Sequence, residues 1–258
     1  MDRTIFPPDR RRSGAAAVLA AAAAVPAVLT AALLAGDRIG IWAMTAALAI
    51  YSLIAFLAWR SHGGGAFGWA NTVTSLRAGL VSVLPALVLS ADSIGWAVTG
   101  FGLLALALDG VDGFIARRFG EASPFGARFD MEIDAAYVLF LSALAAATGR
   151  AGAWILLAGL MRYLWVAAAW AWPMLRAPLP PSLFRKSVCV IVLLLLLLAL
   201  SPFIPVALAP LPCASALALL LVSFGRDLVW LMRSAGMAAA GIQRDGVLYD
   251  GFPRVESE

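Results

Sequence analysis

Apolar segments of membrane-spanning length, separated by short polar stretches, make up most of the chain. Residues 13–36 and 39–59 contain no charged side chain, and only Asp37 and Arg38 separate them. Each is as long as the roughly 20 mostly apolar residues that a spanning helix needs. The pattern therefore predicts two helices before the glycine-rich stretch 63–65, which we expect to act as a hinge.

Six further helices are predicted after that stretch. Four apolar segments cover about 71–91, 94–109, 129–149 and 151–172. Residues 187–225 are free of charge but too long for one span, and prolines are expected to break them into two helices. These prolines are Pro202, Pro205, Pro210 and Pro212. The pattern thus predicts an all-α, polytopic membrane protein with eight spanning helices.

The composition supports a membrane protein and excludes several other classes. Of the 258 residues, 62% are hydrophobic and 13% are charged, whereas soluble domains have about 45–50% and roughly 25%. A soluble enzyme, a disordered chain and a nucleic-acid-binding domain are therefore excluded. The two cysteines, Cys189 and Cys213, lie in apolar runs and are expected to be small packing residues. The single histidine, His62, has no apparent catalytic partner.

The positions of the basic residues set the predicted orientation. If the N-terminus is cytoplasmic, most of the 19 Lys and Arg residues lie in cytoplasmic loops or tails. Arg38 and Arg150 fall on the opposite side, and Arg77 and Arg162 fall within spans. This distribution favours an even number of spans with both termini in the cytoplasm. A signal peptide is the alternative for the first segment, but its apolar run is longer than a typical signal.

Five acidic residues lie close together at the borders of two predicted spans: Asp109, Asp112, Asp130, Glu132 and Asp134. Asp109 and Asp112 are three positions apart and share one helix face, and Asp130 and Asp134 are four apart and share another. Two antiparallel helices would bring these four carboxylates together at the cytoplasmic surface. Glu132 points to a different face, so it is either a solvated carboxylate or part of a site.

Four neighbouring carboxylates repel each other unless a cation neutralises them. Mg²⁺ prefers oxygen ligands together with substrate phosphate, so we favour a metal-assisted phosphoryl-transfer site. One alternative is that the acids pair with the arginines of the intervening loop, Arg117, Arg118 and Arg128. Another is an ion or proton pathway, although transporter sites usually lie near the bilayer midplane.

The same residues resemble the signature of a known family. The chain is similar at every fixed position to the signature D-x2-D-G-x2-A-R-x8-G-x3-D-x3-D of the CDP-alcohol phosphotransferases. The matching residues are Asp109-Gly-Val-Asp112-Gly113-Phe-Ile-Ala116-Arg117, followed by Gly126, Asp130 and Asp134. The stretch from Asn71 to Arg77 also resembles the start of that family's first core helix. The resemblance covers about 69–233. It implies a six-helix transferase core at 66–233, two extra helices within 1–65, and a cytoplasmic tail at 234–258.

The resemblance also implies an activity and a set of site residues. Such enzymes transfer a substituted phosphate from a CDP-linked donor, usually CDP-diacylglycerol, to an alcohol and release CMP. Two Mg²⁺ or Mn²⁺ ions would be bound by Asp109, Asp112, Asp130 and Asp134. Asp134 would also act as the base for the acceptor hydroxyl. The CDP pocket would be lined by Asp109, Asp112, Gly113, Ala116, Arg117 and Gly126.

The acceptor is less well defined. Four basic residues would suit a phosphorylated alcohol if they converge on one cavity: Arg162, Arg185, Lys186 and Arg226. The alternative is that they are cations that snorkel to the membrane surface or set the topology. Asp227 is expected to pair with Arg226 at the surface. Met-Glu follows Asp130 where phosphatidylglycerophosphate synthases commonly have proline, so glycerol phosphate, inositol phosphate, serine and other alcohols stay open.

The expected setting is the cytoplasmic (inner) membrane of a bacterium, because the composition is rich in Ala, Arg and Gly. The resemblance implies an active site at the cytoplasmic face, a homodimer and contact with the lipid bilayer; no nucleic-acid partner is expected. The alternative from a different class is a cation transporter, or a catalytically silent membrane subunit, that uses the same acidic cluster.

Overall fold

The structure, a computed structural model, describes residues 18–27, 38–61, 67–85 and 94–239. Within these ranges it contains helices, short 3-10 turns and no strand. The helices are α1 (Val18–Ala27), α2 (Arg38–Ser61), α3 (Gly68–Val83), α4 (Ile94–Arg118), α5 (Pro124–Ala147), α6 (Leu156–Ala171), α7 (Leu183–Leu200) and α8 (Pro210–Ala239). The predicted all-α fold is confirmed.

Four helical segments are long and apolar enough to cross a membrane: Gly95–Arg118, Ala153–Ala171, Leu183–Leu200 and Pro210–Gly236. Large apolar side chains are exposed on their surfaces, including Leu103, Leu164 and Leu198. Such exposure is costly in water but is expected where a helix faces lipid. The chain is therefore a polytopic membrane protein.

The four prolines separate α7 from α8 as predicted, but two of them lie inside α8 and not between the helices. α7 ends at Leu200, and Pro202 and Pro205 lie in the connection that follows. Pro210 and Pro212, in contrast, lie in the first turn of α8. Proline is tolerated there because the backbone N–H groups of a first turn have no partner within the helix.

Helix α8 continues to Ala239, so the first six residues of the predicted tail, 234–239, are helical. Several other predicted features lie outside the described residues: the polar head 1–12, the first part and the end of the first span, His62, the hinge at 63–65, and the tail after residue 239.

Helix α5 lies at the centre of the bundle and packs against α3, α6 and α7. Its buried stripe consists of Ile133, Tyr137, Leu141 and Leu144, spaced as expected for one helix face. At Gly159 of α6, a Cβ atom would lie 2.5 Å from Cα of Leu139. A glycine is needed at this position because the two helix backbones approach so closely.

The N-terminal helices pack on the core through α3. The hydroxyl of Tyr51 in α2 donates a buried hydrogen bond of 2.8 Å to the carbonyl oxygen of Leu19 in α1. At Gly79 of α3, a Cβ atom would lie 3.0 Å from Cβ of Val25 and 3.3 Å from the carbonyl oxygen of Ala22. A hydrogen bond thus joins α1 to α2, and α1 packs closely against α3.

Candidate active site

The turn between α4 and α5 brings the predicted motif together. Gly120 has a φ of 66°, a conformation that glycine adopts without strain. Ser123 is the N-cap of α5, and its Oγ accepts a hydrogen bond of 3.0 Å from the backbone N–H of Gly126. The acidic end of α4 therefore lies beside the acidic start of α5, as the spacing predicted.

The four aspartates surround Arg77, a residue of α3 whose side chain is 1% exposed. Its Nη1 contacts Asp109 and lies 3.5 Å from Oδ2 of Asp112. Its Nη2 donates to Oδ1 of Asp130 at 2.6 Å and to Oδ1 of Asp134 at 3.2 Å. One guanidinium thus joins three helices through four carboxylates.

The sequence pattern places Arg77 within a span but predicts no role for it. The available signal was its position within a span, where a buried arginine needs carboxylate partners. The alternative that the acids pair with loop arginines is wrong in the described residues. There, no ion pair links the cluster to Arg117, Arg118 or Arg128.

Three of the acids have the geometry of a cation site. Asp109, Asp112 and Asp130 each offer an oxygen atom, and these oxygens lie within 4.8 Å of one another. Such a set of hard oxygen donors fits Mg²⁺ or Mn²⁺. Asp134 is outside this group, so its predicted role as a metal ligand stays a prediction.

The carboxylate of Asp112 is held by a neighbouring helix as well as by Arg77. Asp112 is buried, and its Oδ2 accepts a hydrogen bond of 2.8 Å from Oγ1 of Thr74 in α3. Thr74 lies within the stretch from Asn71 to Arg77 that resembled the family's first core helix. That stretch therefore orients the acids rather than only opening a helix.

A cavity of about 140 Å³ lies beside the acids, between α3, α4 and α5. Five residues of the predicted nucleotide pocket or metal site line it: Asp112, Gly113, Ala116, Gly126 and Asp130. Asp109 and Arg117 are not in its lining. Arg117 nevertheless lies next to it, because a Cβ atom on Gly113 would be 3.2 Å from Nη1 of Arg117.

Two side chains from outside the motif shape the same cavity. A Cβ atom on Gly126 would lie 2.8 Å from Oδ1 of Asn71, so a larger residue would separate α5 from α3. Glu121 of the connecting turn accepts a hydrogen bond of 2.8 Å from the backbone N–H of Ala70. This carboxylate satisfies a free donor at the N-terminus of α3 and favours the helix dipole. No pattern in the sequence pointed to this role of Glu121.

The predicted acceptor residues are divided between two places. Arg185 and Arg226 line a second cavity of about 550 Å³, together with Arg233 and Trp230. Arg162 instead pairs with Glu132 at 2.6 Å, and Lys186 is exposed outside the lining of that cavity. Arg233 was missed, although it follows Arg226 by seven positions and so lies on the same face of α8.

One sequence prediction about a side-chain partner is wrong. Asp227 does not pair with Arg226 but accepts a hydrogen bond of 3.2 Å from Arg185. The guanidinium of Arg226 lies over the ring of Phe184, 4.1 Å from its centroid, in a cation–π contact. Cys213 is buried in the core and Cys189 packs against it, as expected. Cys189 also approaches Asp134, with its Sγ 3.6 Å from Oδ2.

Comparison with known proteins shows the family of the chain. The family model described as CDP-alcohol phosphatidyltransferase matches residues 67–232, almost the range expected from the motif. No curated protein and no solved structure matches the chain significantly. The matched family implies a transferase of phospholipid synthesis that moves a phosphatidyl group from a CDP-linked alcohol and typically uses a divalent metal. The chain belongs to the CDP-alcohol phosphatidyltransferase family.

Proposed function

We propose that the chain transfers the phosphatidyl group of CDP-diacylglycerol to a small phosphorylated alcohol and releases CMP. The observation that carries this proposal is the position of Asp109, Asp112 and Asp130, whose oxygens lie within 4.8 Å of one another. Asp112 and Asp130 also line the cavity of about 140 Å³. A cation donor set beside a cavity is the arrangement that transfer from a pyrophosphate requires.

The motif acids divide into two roles in this proposal. Asp109, Asp112 and Asp130 would hold the divalent cation, which when bound offsets negative charge on the pyrophosphate. Asp134 would take the proton of the acceptor hydroxyl. The acceptor oxygen then forms a bond to the phosphatidyl phosphorus while the bond between that phosphorus and CMP breaks. We further propose that Asp134 contributes to a second metal ion.

The cavity supports a CDP-linked donor. Gly113, Ala116 and Gly126 present little or no side chain to it, so a nucleotide can approach the backbone. Arg117 lies at its edge, with Nη1 close to Gly113. Its planar guanidinium is suited to bidentate contact with phosphate oxygens.

The second cavity supports a phosphorylated acceptor. Arg185, Arg226 and Arg233 contribute three guanidinium groups to it, and only Asp227 among its lining residues carries a negative charge. An excess of arginine favours a phosphate-bearing ligand. We assign acceptor binding to Arg185 and Arg226, because Arg162 and Lys186 lie outside the lining of this cavity.

The proposed setting is the cytoplasmic membrane of a bacterium, with the active site and both termini facing the cytoplasm. The basic residues Arg117, Arg118 and Arg128 flank the turn beside the acids, and such residues accumulate on the cytoplasmic side. The chain would act as a homodimer, with a six-helix core at 66–233 preceded by two additional helices.

The proposal is tested by giving the purified chain CDP-diacylglycerol, Mg²⁺ or Mn²⁺ and one alcohol at a time. Glycerol 3-phosphate, inositol phosphate, inositol and serine form the panel, and CMP and the lipid product are both measured. We expect turnover with a phosphorylated member only. We also expect Arg226→Gln to raise the acceptor KM by about tenfold or more, because a charge-assisted contact is lost.

Lys186→Gln is the matched control for that variant. It removes one positive charge from the cytoplasmic end of α7 without altering the second cavity, so its acceptor KM should stay within about twofold of the wild type. Equal effects of the two substitutions would contradict the assigned acceptor site. Turnover with serine or inositol alone would contradict a phosphorylated acceptor.

A further inference from the structure

Arg77 occupies an unusual position for a cation in this bundle. Its side chain is 1% exposed, and it is surrounded by four aspartates from two helices. Within the described residues, its Nε atom has no hydrogen-bond partner. The carboxylates, together with the carbonyl oxygen of Asp130 at 3.3 Å, therefore hold the guanidinium in place.

The partners of Arg77 include every member of the cation donor set. Nη1 contacts Asp109 and lies 3.5 Å from Asp112, while Nη2 contacts Asp130 at 2.6 Å. These are the three residues whose oxygens lie within 4.8 Å of one another. A divalent cation and the guanidinium therefore draw on the same carboxylates.

We propose that Arg77 is a positioning residue whose guanidinium competes with the divalent cation for Asp109, Asp112 and Asp130. It thereby lowers the affinity of the site for metal. The inference rests on the proposed function only in requiring that these three acids bind a divalent cation.

Charge explains what Arg77 contributes to the fold although it weakens metal binding. Four carboxylates from two helices repel one another, and the single guanidinium offsets part of that repulsion at the place where α3, α4 and α5 meet. Positive charges close to the same carboxylates repel each other in turn. Removing the guanidinium should therefore strengthen metal binding even as it weakens the packing of the three helices.

The fourth partner indicates where Arg77 acts when a cation binds. Asp134 lies 3.2 Å from Nη2 but is outside the cation donor set. A cation that takes Asp109, Asp112 and Asp130 leaves Asp134 as the remaining carboxylate for the guanidinium. Arg77 would then orient the carboxylate of Asp134.

The test measures Mn²⁺ binding to the purified full chain in detergent, with no lipid substrate present. Free Mn²⁺ is followed by electron paramagnetic resonance for the wild type, Arg77→Gln and Arg118→Gln. Arg118 is exposed at the end of α4 and has no described ion pair, so it controls for the loss of one charge. We expect Arg77→Gln to bind Mn²⁺ about tenfold more tightly or more, and Arg118→Gln to change affinity by less than about threefold.

The direction of the change separates competition from a purely structural role. If Arg77 only holds the helices together, its removal leaves Mn²⁺ affinity unchanged or weaker, and either result overturns the inference. If Arg77→Gln does not yield a folded protein, Arg77→Lys takes its place, because lysine retains the charge but lacks the fork that spans both helices. That variant should bind Mn²⁺ at least about threefold more tightly, and unchanged affinity would overturn the inference.

Failure of the proposed metal site would be recognised separately. A wild-type chain that binds no Mn²⁺ contradicts the metal site and this inference together. A wild-type chain that binds Mn²⁺ with an affinity that Arg77→Gln does not improve contradicts only the role assigned to Arg77.

Discussion

The Sγ atom of Cys189 in α7 lies 3.6 Å from Oδ2 of Asp134 in α5. The other oxygen of that carboxylate, Oδ1, is contacted by Arg77. The two oxygens of the proposed base are thus each contacted by a residue of a different helix. A thiol is a weak donor, but it fixes the carboxylate without the strong attraction of a second positive charge.

Replacing Cys189 should alter turnover more than folding. Cys189→Ala removes the donor, so we expect kcat to fall about three- to tenfold with little change in the KM for CDP-diacylglycerol. Cys189→Ser keeps a donor and should stay within about threefold of the wild type. Cys213→Ala is the matched control, because Cys213 is buried in the core. Cys213→Ala should lower stability and leave kcat unchanged. An equal loss of kcat in Cys189→Ala and Cys213→Ala would contradict a role for the contact between Cys189 and Asp134.

Substitution of single acids should separate metal binding from proton transfer. Asp112→Asn removes a member of the cation donor set, and we expect it to weaken Mn²⁺ binding and abolish CMP release. Asp134→Asn lies outside that set and should abolish CMP release while Mn²⁺ affinity for the first ion stays within about threefold. Binding and turnover are measured on the same preparations. Loss of all Mn²⁺ binding in Asp134→Asn would show that the two roles are not separate.

Adding one methyl group at Gly126 should damage the proposed donor pocket. The new Cβ would lie 2.8 Å from Oδ1 of Asn71, so α5 must move away from α3 or Asn71 must shift. We expect the KM for CDP-diacylglycerol to rise about fivefold or more, because the overpacked contact costs roughly 1–3 kcal/mol. Gly100→Ala is the control, since no atom lies within 4 Å of its added Cβ. Equal kinetics for the two variants would argue against close packing at Gly126.

Glu121 should stabilise the start of α3 through both its charge and its hydrogen bond. It accepts a 2.8 Å hydrogen bond from the N–H of Ala70. Glu121→Gln keeps an acceptor oxygen but loses the charge, so the free energy of unfolding should fall by about 0.3–1 kcal/mol. Glu121→Ala loses both and should cost about 1–2 kcal/mol. Unfolding in detergent is followed by circular dichroism. If Glu121→Ala lowers the free energy of unfolding no more than Glu121→Gln does, the hydrogen bond does not contribute to stability.

Much of the fold could be predicted because it depends on local pattern. A charge-free run of spanning length predicts a helix wherever it occurs, and proline limits where one can continue. The helix ends were predicted less well, because Pro210 and Pro212 are compatible with the first turn of a helix as well as with a break between two helices. The extension of α8 to Ala239 has no comparable sequence signal.

The site was predictable as far as spacing along one helix determines it. Asp109 and Asp112, three positions apart, share a face wherever the helix lies. Contacts between helices depend on packing, which spacing does not fix. For this reason the partners of Arg77, the approach of Cys189 to Asp134 and the pairing of Asp227 with Arg185 emerge only from the folded chain.

The most direct test of the account is the release of CMP from CDP-diacylglycerol by the purified chain, measured with Mg²⁺ and again after chelation by EDTA. The phosphorylated acceptor that gives the fastest turnover is used, and Asp112→Asn is measured beside the wild type. We predict that CMP release requires the metal, the acceptor and Asp112 together. CMP release that persists in EDTA or in Asp112→Asn, or its absence with every acceptor tested, would contradict the account.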